Sequence, residues 1–174
     1  MRWLKTLFSR PAPGSANRHH STRLGVEQLD ERALPSAVVS DFTSGLWRWS
    51  TSGGWQQLTT AVPEQITISD VGSVIGDFGS TGLWRWAGSW QQLTTSNPGH
   101  IAVSDDGVVA ADFASGLWRW STSSGWQMLT TAVPEQITIS DDSILGDFGS
   151  TGLWRWNGAW QQLTTADPLS IRVD

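Results

Sequence analysis

The 174-residue chain contains no cysteine and no tyrosine. Without thiols it can form no disulfide, hold no thiolate-bound metal and use no thiolate nucleophile, so the fold rests on packing alone. No apolar run approaches the length needed to span a bilayer, and membrane insertion is not expected. Basic residues are scarce over most of the chain. Residues 37–174 carry five Arg against thirteen Asp or Glu, a net charge of −8, whereas residues 1–36 carry six basic and three acidic side chains, a net +3. Affinity for nucleic acid comes from Lys and Arg contacts to phosphates, which excludes it as a partner of the acidic part. Histidine is nearly absent there too: His19 and His20 lie in the first 36 residues and His100 occurs in one place. No Ser, His and acid fall into a recognisable nucleophile motif, so the expectation is a protein that is not an enzyme and needs no cofactor.

What the chain has in excess is tryptophan, 13 residues in all. Twelve sit three to a repeat in four copies of Leu-Trp-Arg-Trp followed by Trp-Gln-x-Leu, with copies starting near Asp41, Asp77, Asp112 and Asp147. A period of 35 or 36 residues marks a supersecondary unit that buries its apolar face only by stacking on its neighbours. Repeats one and three resemble each other most, as do two and four, which points to late duplication of a paired unit.

Within a repeat the polarity alternates with period two. Leu46-Trp47-Arg48-Trp49, Trp55-Gln56-Gln57-Leu58 and Gln65-Ile66-Thr67-Ile68-Ser69 are short, rich in β-branched or aromatic residues, and bounded by Gly, Ser, Asp and Pro. With Ala37-Val38-Val39 and its counterparts, this predicts four strands per repeat and an all-β fold. Four antiparallel strands per tandem unit fit a β-propeller of four repeats over residues 37–174; a solenoid is the competitor, but its parallel coils need crossovers that the sequence lacks. If a blade begins at the Trp-Gln-Gln-Leu strand, three complete blades cover 55–86, 90–120 and 126–156. Residues 160–174 and 37–49 then stitch a fourth that closes the ring.

The first 36 residues read differently, as a basic and largely disordered leader, with a Pro-Ala-Pro-Gly-Ser-Ala-Asn linker at 11–17. Leu24-Gly25-Val26-Glu27-Gln28-Leu29-Asp30-Glu31-Arg32-Ala33-Leu34-Pro35-Ser36 resembles the leader at the start of many large exported planctomycete proteins, which implies export to the cell surface or beyond.

Trp90-Gln91-Gln92-Leu93, a Pro98 link, Ile101-Ala102-Val103-Ser104-Asp105 and a Gly107 turn, followed by Gly116-Leu117-Trp118-Arg119-Trp120, resemble the tectonin-type, tachylectin-like β-propeller repeat. Ile75-Gly76-Asp77-Phe78 departs from that family's Val-Trp-Gly-Val-Asn strand, and four repeats are fewer than the family usually has. The resemblance implies binding of surface glycans.

For the residues themselves two readings stand side by side. Most Trp are expected in the core between blades, since each buries on the order of 200 Å2. Trp55, Trp90, Trp126 and Trp160, just after a hairpin and beside Gln, are the candidates for stacking on a sugar face. Arg48, Arg85, Arg119 and Arg155 recur once per repeat, seven or eight residues from Asp41, Asp77, Asp112 and Asp147. They are read either as structural ion pairs with those Asp or as ligand-reading donors. Ser69-Asp70-Val71-Gly72 and its counterparts carry too few carboxylates for a calcium loop and are read as turns, so no metal is expected. The expectation is a glycan-binding module; the alternative is a structural or protein-interaction role, in which copies associate into a larger ring.

Overall fold

The structure, a computed structural model, describes residues 37–140 and 143–173; expectations for the leader lie outside the described residues. It is all-β. The described strands are β1 (Ala37–Phe42), β2 (Gly45–Ser50), β3 (Gly54–Thr59), β4 (Gln65–Ile68), β5 (Val74–Asp77), β6 (Leu83–Trp86), β7 (Trp90–Thr94), β8 (Ile101–Val103), β9 (Val109–Phe113), β10 (Gly116–Ser121), β11 (Gly125–Thr130), β12 (Gln136–Ser140), β13 (Ser143–Asp147), β14 (Leu153–Trp156) and β15 (Trp160–Thr164). Among the described residues the helical content is two single 3-10 turns, Gly79–Thr81 and Gly149–Thr151.

The strands form four antiparallel meanders, β1–β3, β4–β7, β8–β11 and β12–β15. The four-stranded unit expected from the sequence is therefore present, but its frame is shifted. The Trp-Gln-Gln-Leu strand closes a sheet instead of opening one, because a tight hairpin ties it to Leu-Trp-Arg-Trp with Trp86 opposite Trp90 and Trp49 opposite Trp55. Strands joined by so short a turn can only be neighbours; the longer Pro-containing link through Pro63 is where the chain steps to the next sheet. The stitched fourth blade is corrected with it. Trp160–Thr164 belongs to the fourth sheet, and among the described residues β1 pairs with β2 alone.

Each Leu-Trp-Arg-Trp strand carries a bulge after its Leu, such as that between Leu83 and Trp84. The glycine before it makes this possible. Gly82 has φ +85°, and a Cβ there would lie 2.1 Å from the Thr94 carbonyl oxygen, so only glycine fits.

The core lies between sheets. Ile75, Leu83, Val109, Ala111 and Trp120 join the second sheet to the third; Val108, Ala110, Leu117, Ile139 and Ile144 join the third to the fourth. Both faces of an inner sheet are thus apolar, which is why β5 and β9 read as nearly unbroken small or branched apolar stretches.

Candidate ligand pockets at the sheet junctions

Trp84 and Trp86 alternate with Arg85 on β6, so the two indoles face the first sheet and the guanidinium faces the third. The same alternation in β10 and β14 gives three junctions of one design. At the first, Thr59 and Ala61 from the preceding sheet meet Phe78, Thr81, Trp84 and Trp90 from the following one, around a cavity of about 330 Å3. Thr94, Ser96, Phe113, Ser115, Trp118 and Trp126 line the second, about 230 Å3. Thr130, Ala132, Phe148, Thr151, Trp154 and Trp160 line the third, about 300 Å3.

Hydrogen bonds fix each wall. Trp90 Nε1 donates to the Leu58 carbonyl across the junction (3.0 Å), Trp126 to Leu93 (2.9 Å) and Trp160 to Leu129 (3.1 Å). Each of these indoles also meets its Phe edge-on, as Phe78 and Trp90 do at 5.7 Å between centroids and 81°. The second indole is pinned within its own sheet: Trp84 Nε1 donates to the Thr81 carbonyl at 3.1 Å, and Trp154 to that of Thr151 at 3.1 Å. Thr59, Thr94 and Thr130 each accept a backbone N–H through Oγ1, at 3.1 Å. An accepting hydroxyl keeps its own proton to donate. The result is an aromatic corner with a hydroxyl at its rim, and none of the lining residues is titratable.

Of the eight candidates, Trp90, Trp126 and Trp160 stand in these pockets, half-buried. Trp55 is 53% exposed, at a sheet with no described sheet before it. The four Arg are not brought together with them. Arg48 stacks over Trp86 (5.4 Å to the ring centroid), Arg85 over Trp120 (5.8 Å) and Arg119 over Trp156 (5.8 Å), deep in the junctions. Their Nε atoms are buried and find no hydrogen-bond partner among the described residues, and Arg85 Nη2 donates to Ser73 Oγ at 3.1 Å. The expected Arg–Asp pairing does not occur among the described residues, because opposite strands place Asp77 against Leu83 and Arg85 against Ile75. The buried Asp instead lock turns: Asp77 and Asp147 accept the backbone N–H of Gly79 and Gly149, both at 3.0 Å. Asp112 takes the His100 backbone N–H and lies 3.2 Å from its Nδ1. Burial above all pushes the Asp77 and Asp112 carboxyls above the ordinary carboxylate value, the neighbouring His100 partly opposing this at Asp112.

The Gln residues meant to serve a sugar are partly engaged, with Gln92 Nε2 on the Thr81 carbonyl and Gln162 Nε2 on that of Thr151, both at 2.9 Å. Ser69-Asp70-Val71-Gly72 is the β4–β5 turn, in which Ser69 Oγ accepts the Ser73 N–H. Among the described residues one cluster could ligate a cation: carboxylates of Glu135, Asp147 and Asp167 come within 4.8 Å of one another. Sequence reading missed the first Trp of each Leu-Trp-Arg-Trp, the Phe after each repeat Asp, and the Thr closing each Trp-Gln-x-Leu strand. All recur in every copy, which was the available signal.

No protein-family model matches the chain, and no curated protein does. Among solved structures it is similar to Ycf48 bound to a D1 peptide, with a TM-score of 0.55 and 15% identity over 78% of this chain and 52% of that one. It is also similar to virginiamycin B lyase from Staphylococcus aureus, with a TM-score of 0.46 and 16% identity over 75% of this chain and 57% of that one. The chain spans about half the length of these proteins. The four tandem meanders and the first likeness define a β-propeller-type fold.

Proposed function

We propose that the chain is an exported, non-enzymatic binding module of the tectonin type that recognises glycans through its junction pockets. The observation that carries this reading is the threefold recurrence of one cavity built from two indoles, a Phe and a Thr hydroxyl. Aromatic faces suit the C–H face of a pyranose, and a hydroxyl at the rim suits its O–H groups. Several weak, identical sites on one rigid domain act together on a surface that displays many copies of a ligand. The absence of any titratable group from the lining supports binding over catalysis. Export rests on the leader's sequence alone.

A protein segment is the second reading, favoured by the predominantly apolar lining and in keeping with the peptide bound to Ycf48. Titration of the full chain with a glycan array and with a random peptide library, read by tryptophan fluorescence, separates the two. One glycan class is expected to shift the emission, with the shift reduced at least tenfold in affinity when Trp84, Trp118 and Trp154 are replaced together by Leu. A response to peptides alone, or a glycan response indifferent to those substitutions, would overturn the glycan reading.

A further inference from the structure

Among the described residues, the inner edge of the first sheet pairs with no strand, and the segment after the last sheet pairs with none either. We propose that two copies of this chain join head to tail through these edges, each junction repeating the contact already made three times inside one copy.

Three observations carry this. The first is the inner strand. In the second sheet Gln65 Nε2 reaches forward to the Gly99 carbonyl at 2.8 Å, just ahead of the next sheet's inner strand, β8. In the fourth sheet Gln136 Nε2 reaches in the same way to the Leu169 carbonyl at 3.4 Å, and Ile171 N–H donates to Gln136 Oε1 at 3.3 Å. Ile171-Arg172-Val173 thus stands at the place that Ile101-Ala102-Val103 takes in the third sheet, and it pairs with no described strand. The first sheet is the one with three described strands and no inner one. Val38 on its open edge is 40% exposed where the equivalent Val74 is fully buried. By sequence spacing, the residues that stand in the first repeat where Ile66-Thr67-Ile68 stand in the second are Asp30-Glu31-Arg32, which lack the apolar alternation of an inner strand.

The second observation is the stacking ladder. Arg48, Arg85 and Arg119 each cover a Trp of the next sheet. Arg155 covers no ring among the described residues, and Trp49, the equivalent of Trp86, lies under no described Arg. The third is the indole bond. Trp90, Trp126 and Trp160 donate to Leu58, Leu93 and Leu129. Trp55 makes no such bond among the described residues, while Leu163, whose carbonyl is the next acceptor in the series, is 46% exposed.

Joining the edges completes all three series at once: Ile171 opposite Ser40, Arg155 over Trp49, and Trp55 Nε1 on the Leu163 carbonyl. Such a head-to-tail contact is heterologous and closes only as a ring. Two copies supply eight sheets, the upper end of what propellers contain, whereas three would supply twelve. Each new junction brings Thr164 and Ala166 of one copy against Phe42, Trp47 and Trp55 of the other, completing a fourth pocket per copy. Only the ligand of that pocket rests on the binding role proposed above.

The chain's lack of cysteine allows a direct test on the full 174-residue protein. The repeat register Ala102↔Ala110 places Arg172 of one copy opposite Val39 of the other. Light scattering should give twice the 19.0 kDa chain mass. An oxidised mixture of V39C and R172C chains should yield a disulfide-linked dimer that neither variant forms alone. Trp55→Ala, a change at an exposed position that leaves each copy folded by circular dichroism, should weaken the dimer at least tenfold. A monomeric mass, a mass of three or more copies, or a disulfide that forms only within a single V39C/R172C chain would overturn the proposal. Because no ligand enters, a lost glycan response leaves this result untouched.

Discussion

Replacing Trp126 by Phe isolates what holds one sheet on the next. The indole N–H donates to the Leu93 carbonyl at 2.9 Å, and the ring packs on the cluster around Val109 and Trp120. Phe keeps the edge-on contact with Phe113, now 5.6 Å between centroids, but leaves a half-buried carbonyl without its donor. That loss costs about 1 kcal/mol. The smaller ring gives up about 1 kcal/mol more of apolar burial. A total of about 2 kcal/mol lowers the melting temperature of a domain this size by about 7 °C. Urea and thermal unfolding followed by far-ultraviolet circular dichroism, at one protein concentration, measure both quantities. An unchanged urea midpoint and melting temperature would refute the reasoning and mean that the indole bonds contribute nothing to sheet stacking.

Other perturbations test separate parts of the structure. Gly82→Ala should cost about 3 kcal/mol or more, since a positive φ and a Cβ 2.1 Å from a backbone oxygen coincide; Gly88→Ala, at φ +91° in open space, should cost about 1 kcal/mol, and equal losses would contradict the steric argument. Arg85→Lys should destabilise nearly as much as Arg85→Met, by about 1 kcal/mol, because a point charge does not replace a planar group stacked on Trp120; full retention of stability by Lys in urea unfolding would count against it. The raised Asp77 carboxyl binds its proton more tightly in the folded than in the unfolded chain. Its stabilising contribution is therefore complete below the ordinary value of 3.8 and is lost as pH rises through the folded-state value. The stability of the parent relative to Asp77→Asn should accordingly increase as pH falls from neutrality towards 4, and a difference that is flat or falls in that direction would refute the assignment.

Strand alternation, the four-strand unit and the all-β class were legible in the sequence because side-chain direction has period two in any strand, wherever it sits. Trp84, Arg85 and Trp86 announced two opposite faces from their order alone. What their order could not state was which neighbour each face meets. The partners lie on other sheets, so Trp126 finds Leu93 some 33 residues away, and Arg85 finds Trp120 in preference to the nearer Asp77. That choice follows from strand register, which sets Asp77 against Leu83 and turns its carboxylate into the Gly79 turn. The blade frame was misplaced for a related reason: hairpin and inter-sheet links differ by few residues, and only pairing shows which one crosses.

The pockets belong wholly to the tertiary level. Thr59 and Trp84 are unremarkable in their own strands and become one wall only when two sheets stack. Composition by itself determined that no disulfide holds the domain and that the repeats are acidic. The expectation that most tryptophans fill the interior is corrected: among the described residues the buried core is Ile, Leu, Val and Ala with Trp120 alone of the indoles, the others being half-buried or, like Trp55, exposed. Only stacking decided which indoles are covered and which face a cavity, because that depends on having a neighbour: Trp90 has the first sheet beside it, and Trp55, with nearly the same local sequence, has no sheet beside it among the described residues.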